Sequence, residues 1–120
     1  MRVSLIKEFR FEASHRLNHL GPDHPCHNLH GHSYRVEVEV SGVVDTATGF
    51  LIDYGELKKL IGPIIDRLDH KHLNDIEDLQ ITTTEHLAKW LWDRIQPLLP
   101  ILSRITVFET ASSRCEYRGE

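Results

Sequence analysis

Three histidines and one cysteine carry the chemistry open to this sequence. The stretch Cys26-His27-Asn28-Leu29-His30-Gly31-His32 sets a thiol before a His-Gly-His pair, and His15 stands upstream in a second run with strand character. Successive side chains of a strand point to opposite faces, so His30 and His32 share a face, with Gly31 leaving room between them. After Gly31, the positions His32, Tyr34, Val36, Val38 and Val40 hold one parity against Ser33, Arg35, Glu37, Glu39 and Ser41. That is a strand dry on one side and wet on the other. Upstream, Val3, Leu5, Phe9, Phe11, Ala13 and His15 share a parity against Ser4, Glu8, Arg10, Glu12 and Ser14, with Ile6 and Lys7 out of pattern. All three histidines therefore lie on the apolar parity. If the runs pair antiparallel across the connection from Leu17 to Leu29, His15 meets His30 and His32. Three converging imidazoles with a free fourth position form a catalytic zinc arrangement. Two other readings stay open: core imidazoles satisfied by neighbours, and a closed structural zinc site with Cys26 as fourth ligand.

The elements that must position these residues follow from the same periodicities. Gly21 to Asn28 is a turn-rich loop holding Pro22 and Pro25, and it carries Cys26 to the edge of the histidines. Asp53 with Glu56 has capping-box spacing and opens a helix whose stripe Leu57, Leu60, Ile61, Ile64, Ile65 and Leu68 extends to Leu68, with Pro63 inside it. Thr82 with Glu85 has the same spacing and opens a second helix with the stripe Leu87, Trp90, Leu91, Ile95 and Leu98. Strand character returns from Arg104 to Thr110 and from Cys115 to Arg118. Two strands, two helices and two strands predict an α+β unit, one domain spanning 1–120, with a four-stranded antiparallel sheet covered by two helices on one face. The other face would carry Arg10, Glu12, Arg35, Glu37 and Glu39, and two open sheet edges would invite pairing with other subunits.

Composition narrows the function. The chain has 120 residues, 40% hydrophobic content and a formal net charge of -4, enough to bury a core of its own. Lys and Arg are scattered singly, which argues against a surface that reads nucleic acid. No long apolar run argues for a membrane span. Cys26 and Cys115 without a secretory signal predict a reduced, cytoplasmic protein. Cys115 reads as a structural thiol.

Several further segments carry a resemblance. Phe11-Glu12-Ala13-Ser14-His15, Cys26 ahead of His30-Gly31-His32, Leu68-Asp69-His70 with Leu73-Asn74-Asp75, Thr83-Thr84-Glu85, Phe108-Glu109-Thr110 and the closing Glu116-Tyr117-Arg118-Gly119-Glu120 together resemble the 6-pyruvoyl-tetrahydropterin synthase superfamily. Within it the chain is most similar to the bacterial 6-carboxytetrahydropterin synthases of queuosine biosynthesis, which carry three residues between the cysteine and the first histidine of the pair.

That resemblance implies the tunnelling fold, in which subunits close a trimeric β-barrel and two trimers stack into a hexamer with active sites between subunits. It implies one Zn2+ per subunit on His15, His30 and His32, Cys26 as catalytic base, Asp69 and His70 assisting it, and Glu109 anchoring a pterin ring contacted by Thr83 and Thr84. The implied reaction converts 7,8-dihydroneopterin triphosphate to 6-carboxy-5,6,7,8-tetrahydropterin, releasing acetaldehyde and triphosphate; the alternatives are the 6-pyruvoyl synthase reaction, which eliminates triphosphate without cleaving the side chain, and a non-catalytic zinc-stabilised binding module. Glu109 shares the parity of Ile105 and Val107, where an unpaired charge is expensive and demands a partner, either a pterin's paired N–H donors or an arginine of the chain. An aspartate beside a histidine can orient a proton carrier. The chain has Thr82 where relatives often place proline, a difference expected to have little consequence.

Overall fold

The alternation from Val3 to Val40 folds as one long hairpin. In the computed structural model, which describes residues 1–120, β1 (Arg2–His15) and β2 (His30–Val43) pair antiparallel without a register shift, from Arg2 opposite Val43 to His15 opposite His30. Ile6 and Lys7 do not interrupt the pairing; the strand holds its parity and leaves Ile6 47% exposed on the wet face. β4 (Leu102–Thr110) adds antiparallel to β2, with a bulge at Glu39/Val40, and β5 (Ser113–Tyr117) adds antiparallel to β4.

The expected four-stranded antiparallel sheet is corrected to a mixed sheet of five. A short strand, β3 (Lys71–His72), pairs parallel with β1 at Ala13 and Ser14, giving the order β3-β1-β2-β4-β5. Two residues carry no alternation to read. Bonds from the preceding turn hold the strand there: the His70 amide donates to the Glu12 carbonyl at 2.6 Å, and the Glu12 amide to the Asp69 carboxylate at 2.9 Å.

Both helices lie where periodicity put them, with altered ends. Asp53 caps α1 (Tyr54–Asp66) by accepting from the Gly55 amide at 2.8 Å, and Leu57, Ile61, Ile64 and Ile65 are buried. The helix passes through Pro63 and stops at Asp66 rather than Leu68, because the Arg67 and Leu68 amides turn back tightly onto Ile64 and Ile65. α2 (Thr84–Ile95) is capped by Thr83, whose hydroxyl accepts from the His86 amide at 3.3 Å, not by Thr82. Past Ile95 the chain turns, so Leu99 is buried and Leu98 is exposed.

Together the helices cover Phe11, Tyr34, Val36, Val38, Ile105 and Val107, the dry face of the sheet. The opposite face is charged: Arg104 reaches Glu37 at 3.7 Å, Glu39 at 3.4 Å and Glu116 at 3.7 Å. The hairpin makes the molecule long, 57 × 24 × 23 Å with a radius of gyration of 15.6 Å, against about 14 Å for a compact chain of this length. β5 and most of the outer side of β1 remain unpaired edges. No helix is long and apolar enough to cross a membrane.

Candidate metal and catalytic site

The antiparallel register sets His15 opposite His30 and Ala13 opposite His32, so the three imidazoles converge from one face. Gly31 is needed between them: a Cβ there would sit 3.3 Å from the Ala13 carbonyl oxygen. One ring nitrogen from each histidine lies within 4.8 Å of the others. The Nδ1 atoms of His15 and His30 are occupied elsewhere. His15 Nδ1 lies 3.0 Å from the Thr82 carbonyl and 3.1 Å from its hydroxyl, and His30 Nδ1 lies 2.7 Å from the Asn28 carbonyl. A carbonyl accepts only, so each Nδ1 carries the proton and each Nε2 keeps a lone pair. His32 Nε2 is a buried atom with no hydrogen-bond partner. An orphan of this kind calls for an explanation, and a metal ion supplies one. Burial holds His15 and His32 below the usual imidazole range, which favours the neutral form that a metal requires. The donor set fits a divalent transition metal.

Cys26 is not a member of this cluster. It sits half-buried in a single 3-10 turn, Pro25–His27, whose carbonyl at Cys26 accepts from the Leu17 amide at 2.8 Å. A closed site of three histidines and one cysteine is therefore not formed. Cys115 is half-buried against the core, and burial raises its thiol pKa, in keeping with a structural role.

Glu109, the acceptor on the dry parity of β4, faces the histidines. Its carboxylate lies 3.6 Å from His32 Nε2 and 4.0 Å from His15 Nε2. No arginine pairs with it, so its partners within the chain are the imidazoles.

Asp69 and His70 form a separate pair on the edge of β1. Asp69 Oδ1 accepts from the Glu12 amide and lies 3.0 Å from His70 Nδ1, and these contacts, the backbone one first, hold its carboxyl below the usual range. His70 has φ 58, a conformation costing on the order of 1–3 kcal/mol for a residue other than glycine. The two bonds to Glu12 keep it there. With Nδ1 turned to a carboxylate, the exposed Nε2 is free to carry a proton. A cleft of about 520 Å³ has His70 and His32 on its walls, yet no hydrogen bond joins His70 to Cys26 within the chain. Thr83 and Thr84 stand half-buried at the start of α2; the Thr84 hydroxyl donates to Glu85 at 2.9 Å.

A family model described as 6-pyruvoyl tetrahydropterin synthase matches residues 4–120. The chain belongs to that family. It is 36% identical to a 6-pyruvoyl tetrahydrobiopterin synthase of Dictyostelium discoideum over 131 aligned residues, covering 98% of this chain and 97% of the relative. It is 35% identical to a 6-carboxy-5,6,7,8-tetrahydropterin synthase of Synechocystis sp. over 119 aligned residues, covering 94% and 91%. A solved 6-pyruvoyl tetrahydropterin synthase of Caenorhabditis elegans superposes with a TM-score of 0.93 at 27% identity, over 100% of this chain and 97% of that one. The family acts on pterins by lyase-type chemistry, and the three histidines are where this member can hold a metal ion.

Sequence analysis reads Thr82 only as a helix cap and as a departure from its relatives, and the structure places it elsewhere: it is buried, 1% exposed, and holds His15 through its carbonyl and its hydroxyl. A proline at this position would keep the carbonyl and lack the hydroxyl. One threonine in a row of three carries no periodic signal that it serves a distant histidine.

Proposed function

We propose that this protein is a zinc-dependent 6-carboxytetrahydropterin synthase. It converts 7,8-dihydroneopterin triphosphate, with water, to 6-carboxy-5,6,7,8-tetrahydropterin, acetaldehyde and triphosphate, a step toward queuosine in the cytoplasm. The observation that carries the reading is the convergence of one ring nitrogen from each of His15, His30 and His32, with the Glu109 carboxylate 3.6 Å from His32 Nε2. That is a metal next to an acceptor suited to a pterin's paired N–H donors.

His15, His30 and His32 hold the zinc, one ion per subunit, which supplies Lewis-acid polarisation of the substrate's side-chain oxygens. Glu109 accepts from the 2-amino group and adjacent ring N–H, fixing the ring so that its side chain faces the histidines. Thr83 and Thr84 border the ring. Cys26 removes a side-chain proton. His70, with Nδ1 held by Asp69, returns protons through Nε2 during the tautomerisation in which the side chain is oxidised as the ring gains its hydrogens, and during carbon-carbon cleavage. Because Cys26 and His70 do not bond within one chain, and because β1 and β5 leave open edges, the working site lies between subunits. These close into a β-barrel and stack as a hexamer of 1–120 domains.

Two observations favour the carboxy over the pyruvoyl reaction. Three residues separate Cys26 from His30, the short spacing of the carboxy enzymes. The alignments run to 131 positions over 98% of this chain for the Dictyostelium pyruvoyl enzyme and to 119 over 94% for the Synechocystis enzyme, so both relatives carry residues this chain lacks and the pyruvoyl enzyme carries more of them. Incubation with 7,8-dihydroneopterin triphosphate, with acetaldehyde assayed and the pterin identified by mass, tests the reading. Acetaldehyde with a carboxypterin supports it; triphosphate release with a pyruvoyl product and no acetaldehyde would assign the sister reaction.

A further inference from the structure

The residue after the first metal-binding histidine is bonded in an unusual number of directions. Arg16 Nε donates to the His27 carbonyl at 3.2 Å, and its Nη2 lies 3.2 Å from His27 Nε2. His27 Nδ1 lies 3.0 Å from the Leu20 carbonyl. That carbonyl can only accept, so the His27 proton sits on Nδ1 and its Nε2 is an acceptor for the guanidinium. Behind the side chain, Asn74 grips the Arg16 backbone from both sides: the Arg16 amide donates to Asn74 Oδ1 at 2.9 Å and Asn74 Nδ2 donates to the Arg16 carbonyl at 2.8 Å. The Leu17 amide closes the set on the Cys26 carbonyl at 2.8 Å.

We propose that Arg16 is a positioning residue that fixes the Cys26 turn against the metal histidines. The proposal rests on the reading above that Cys26 acts on the bound substrate. One end of the clamp is covalently next to His15 and the other is the residue after Cys26, so a two-point fork sets the distance between ligand and base. The loop's other bonds are mostly local turns, such as the His27 amide on the His24 carbonyl at 3.0 Å and the Cys26 amide on His24 Nδ1 at 3.1 Å, and its turn contains no buried residue to anchor it. Lysine cannot replace arginine here, because a single ammonium cannot reproduce two N–H donors in a fixed plane. Arg16 spends Nε and one Nη2 proton on His27, which argues for holding the loop over gripping a substrate phosphate. A displacement of about 1 Å at such a site lowers turnover by up to about 100-fold.

The test pairs kinetics with amide hydrogen exchange on metal-loaded wild type, Arg16→Lys, His27→Leu and His27→Gln. Arg16→Lys and His27→Leu are expected to lower kcat about 10- to 100-fold with KM within about threefold. Exchange should accelerate at least about tenfold in peptides covering 17–28 and stay unchanged in β1 and β2. His27→Gln, which keeps an acceptor near the Nε2 position, recovers most of the loss; should Arg16→Lys fold poorly, the two His27 variants carry the comparison. Unchanged exchange in 17–28 overturns the clamp, and so does a raised KM at constant kcat, which would make Arg16 a substrate contact. If wild type leaves the pterin triphosphate untouched, the enzymatic reading fails by itself, while the exchange arm still decides whether Arg16 holds the loop.

Discussion

Thr82 holds the Nδ1 of His15 between its carbonyl at 3.0 Å and its hydroxyl at 3.1 Å, and both residues are 1% exposed. The carbonyl would remain in any substitution, while the hydroxyl is a property of this side chain. Outer partners of this kind set the tautomer and basicity of a metal-binding imidazole, and their loss lowers metal affinity about 10- to 100-fold. Thr82→Val, which keeps the volume and removes the hydroxyl, is expected to fall toward the lower end of that range, with Thr82→Ser near wild type. Competition with a chromophoric chelator measures it; equal affinities in all three proteins would assign the hydroxyl no part in the site.

Glu109 has no arginine or lysine within ion-pair distance and faces neutral imidazoles at 3.6 and 4.0 Å, so its acceptor capacity is directed to a ligand. Glu109→Gln removes the charge and one acceptor while preserving shape. Hydrogen bonds to charged groups contribute about 1.5–3 kcal/mol, which predicts a fall in pterin affinity of roughly 10- to 100-fold. Zinc content should stay at wild-type stoichiometry, since three histidines remain. Fluorescence titration with a non-hydrolysable pterin alongside metal analysis separates the two effects. Unchanged pterin affinity would remove the anchoring role.

The parts of this molecule legible in the sequence are those written as periodic patterns. Strict alternation through His15 and from His32 gave the hairpin, its register and the shared face of three histidines, because a slip by one residue would have buried Glu12 or Arg35. The stripes of Leu57, Ile61 and Ile65 and of Leu87, Leu91 and Ile95 gave both helices. Single bonds between distant residues were not legible. β3 exists because Glu12 grips Asp69 and His70, and Thr82 serves His15 across 67 positions of chain. The identity of the Glu109 partners was equally hidden, since parity indicates that a buried charge needs a partner without naming it.

The buried histidines make stability depend on pH in a defined direction. Burial holds His15 and His32 below the usual imidazole range, so in mildly acid solution the unfolded chain binds more protons than the folded one. Stability is full above about pH 6.5 and is lost as pH falls from there toward the lowered folded values. Asp69, also held low by the Glu12 amide and His70, contributes stability that is full above the ordinary carboxylate range and is lost as pH falls from there through its lowered value. Thermal melts of metal-free protein should therefore be level from pH 8 to 7 and decline below about 6.5, and metal release should follow the same direction. A melting temperature constant down to pH 5 would contradict the account.

Cys26 stands outside the histidine cluster and makes no bond to His70 in its own chain, which allows the two catalytic groups to be separated by mutation. Cys26→Ala and His70→Ala should each retain zinc and each lose about 100- to 10,000-fold in turnover, the range for a general base or acid. If a working site takes Cys26 from one subunit and the Asp69–His70 pair from another, unfolding and refolding an equal mixture of the two variants creates some interfaces in which both residues are native. Random assembly gives about one half times one half, or about a quarter, of wild-type activity. Mixing without refolding is the control and stays inactive as long as subunits do not exchange. Activity that never rises in the refolded mixture would put both residues of each site on one chain, and loss of zinc in Cys26→Ala would instead make that thiol a metal ligand.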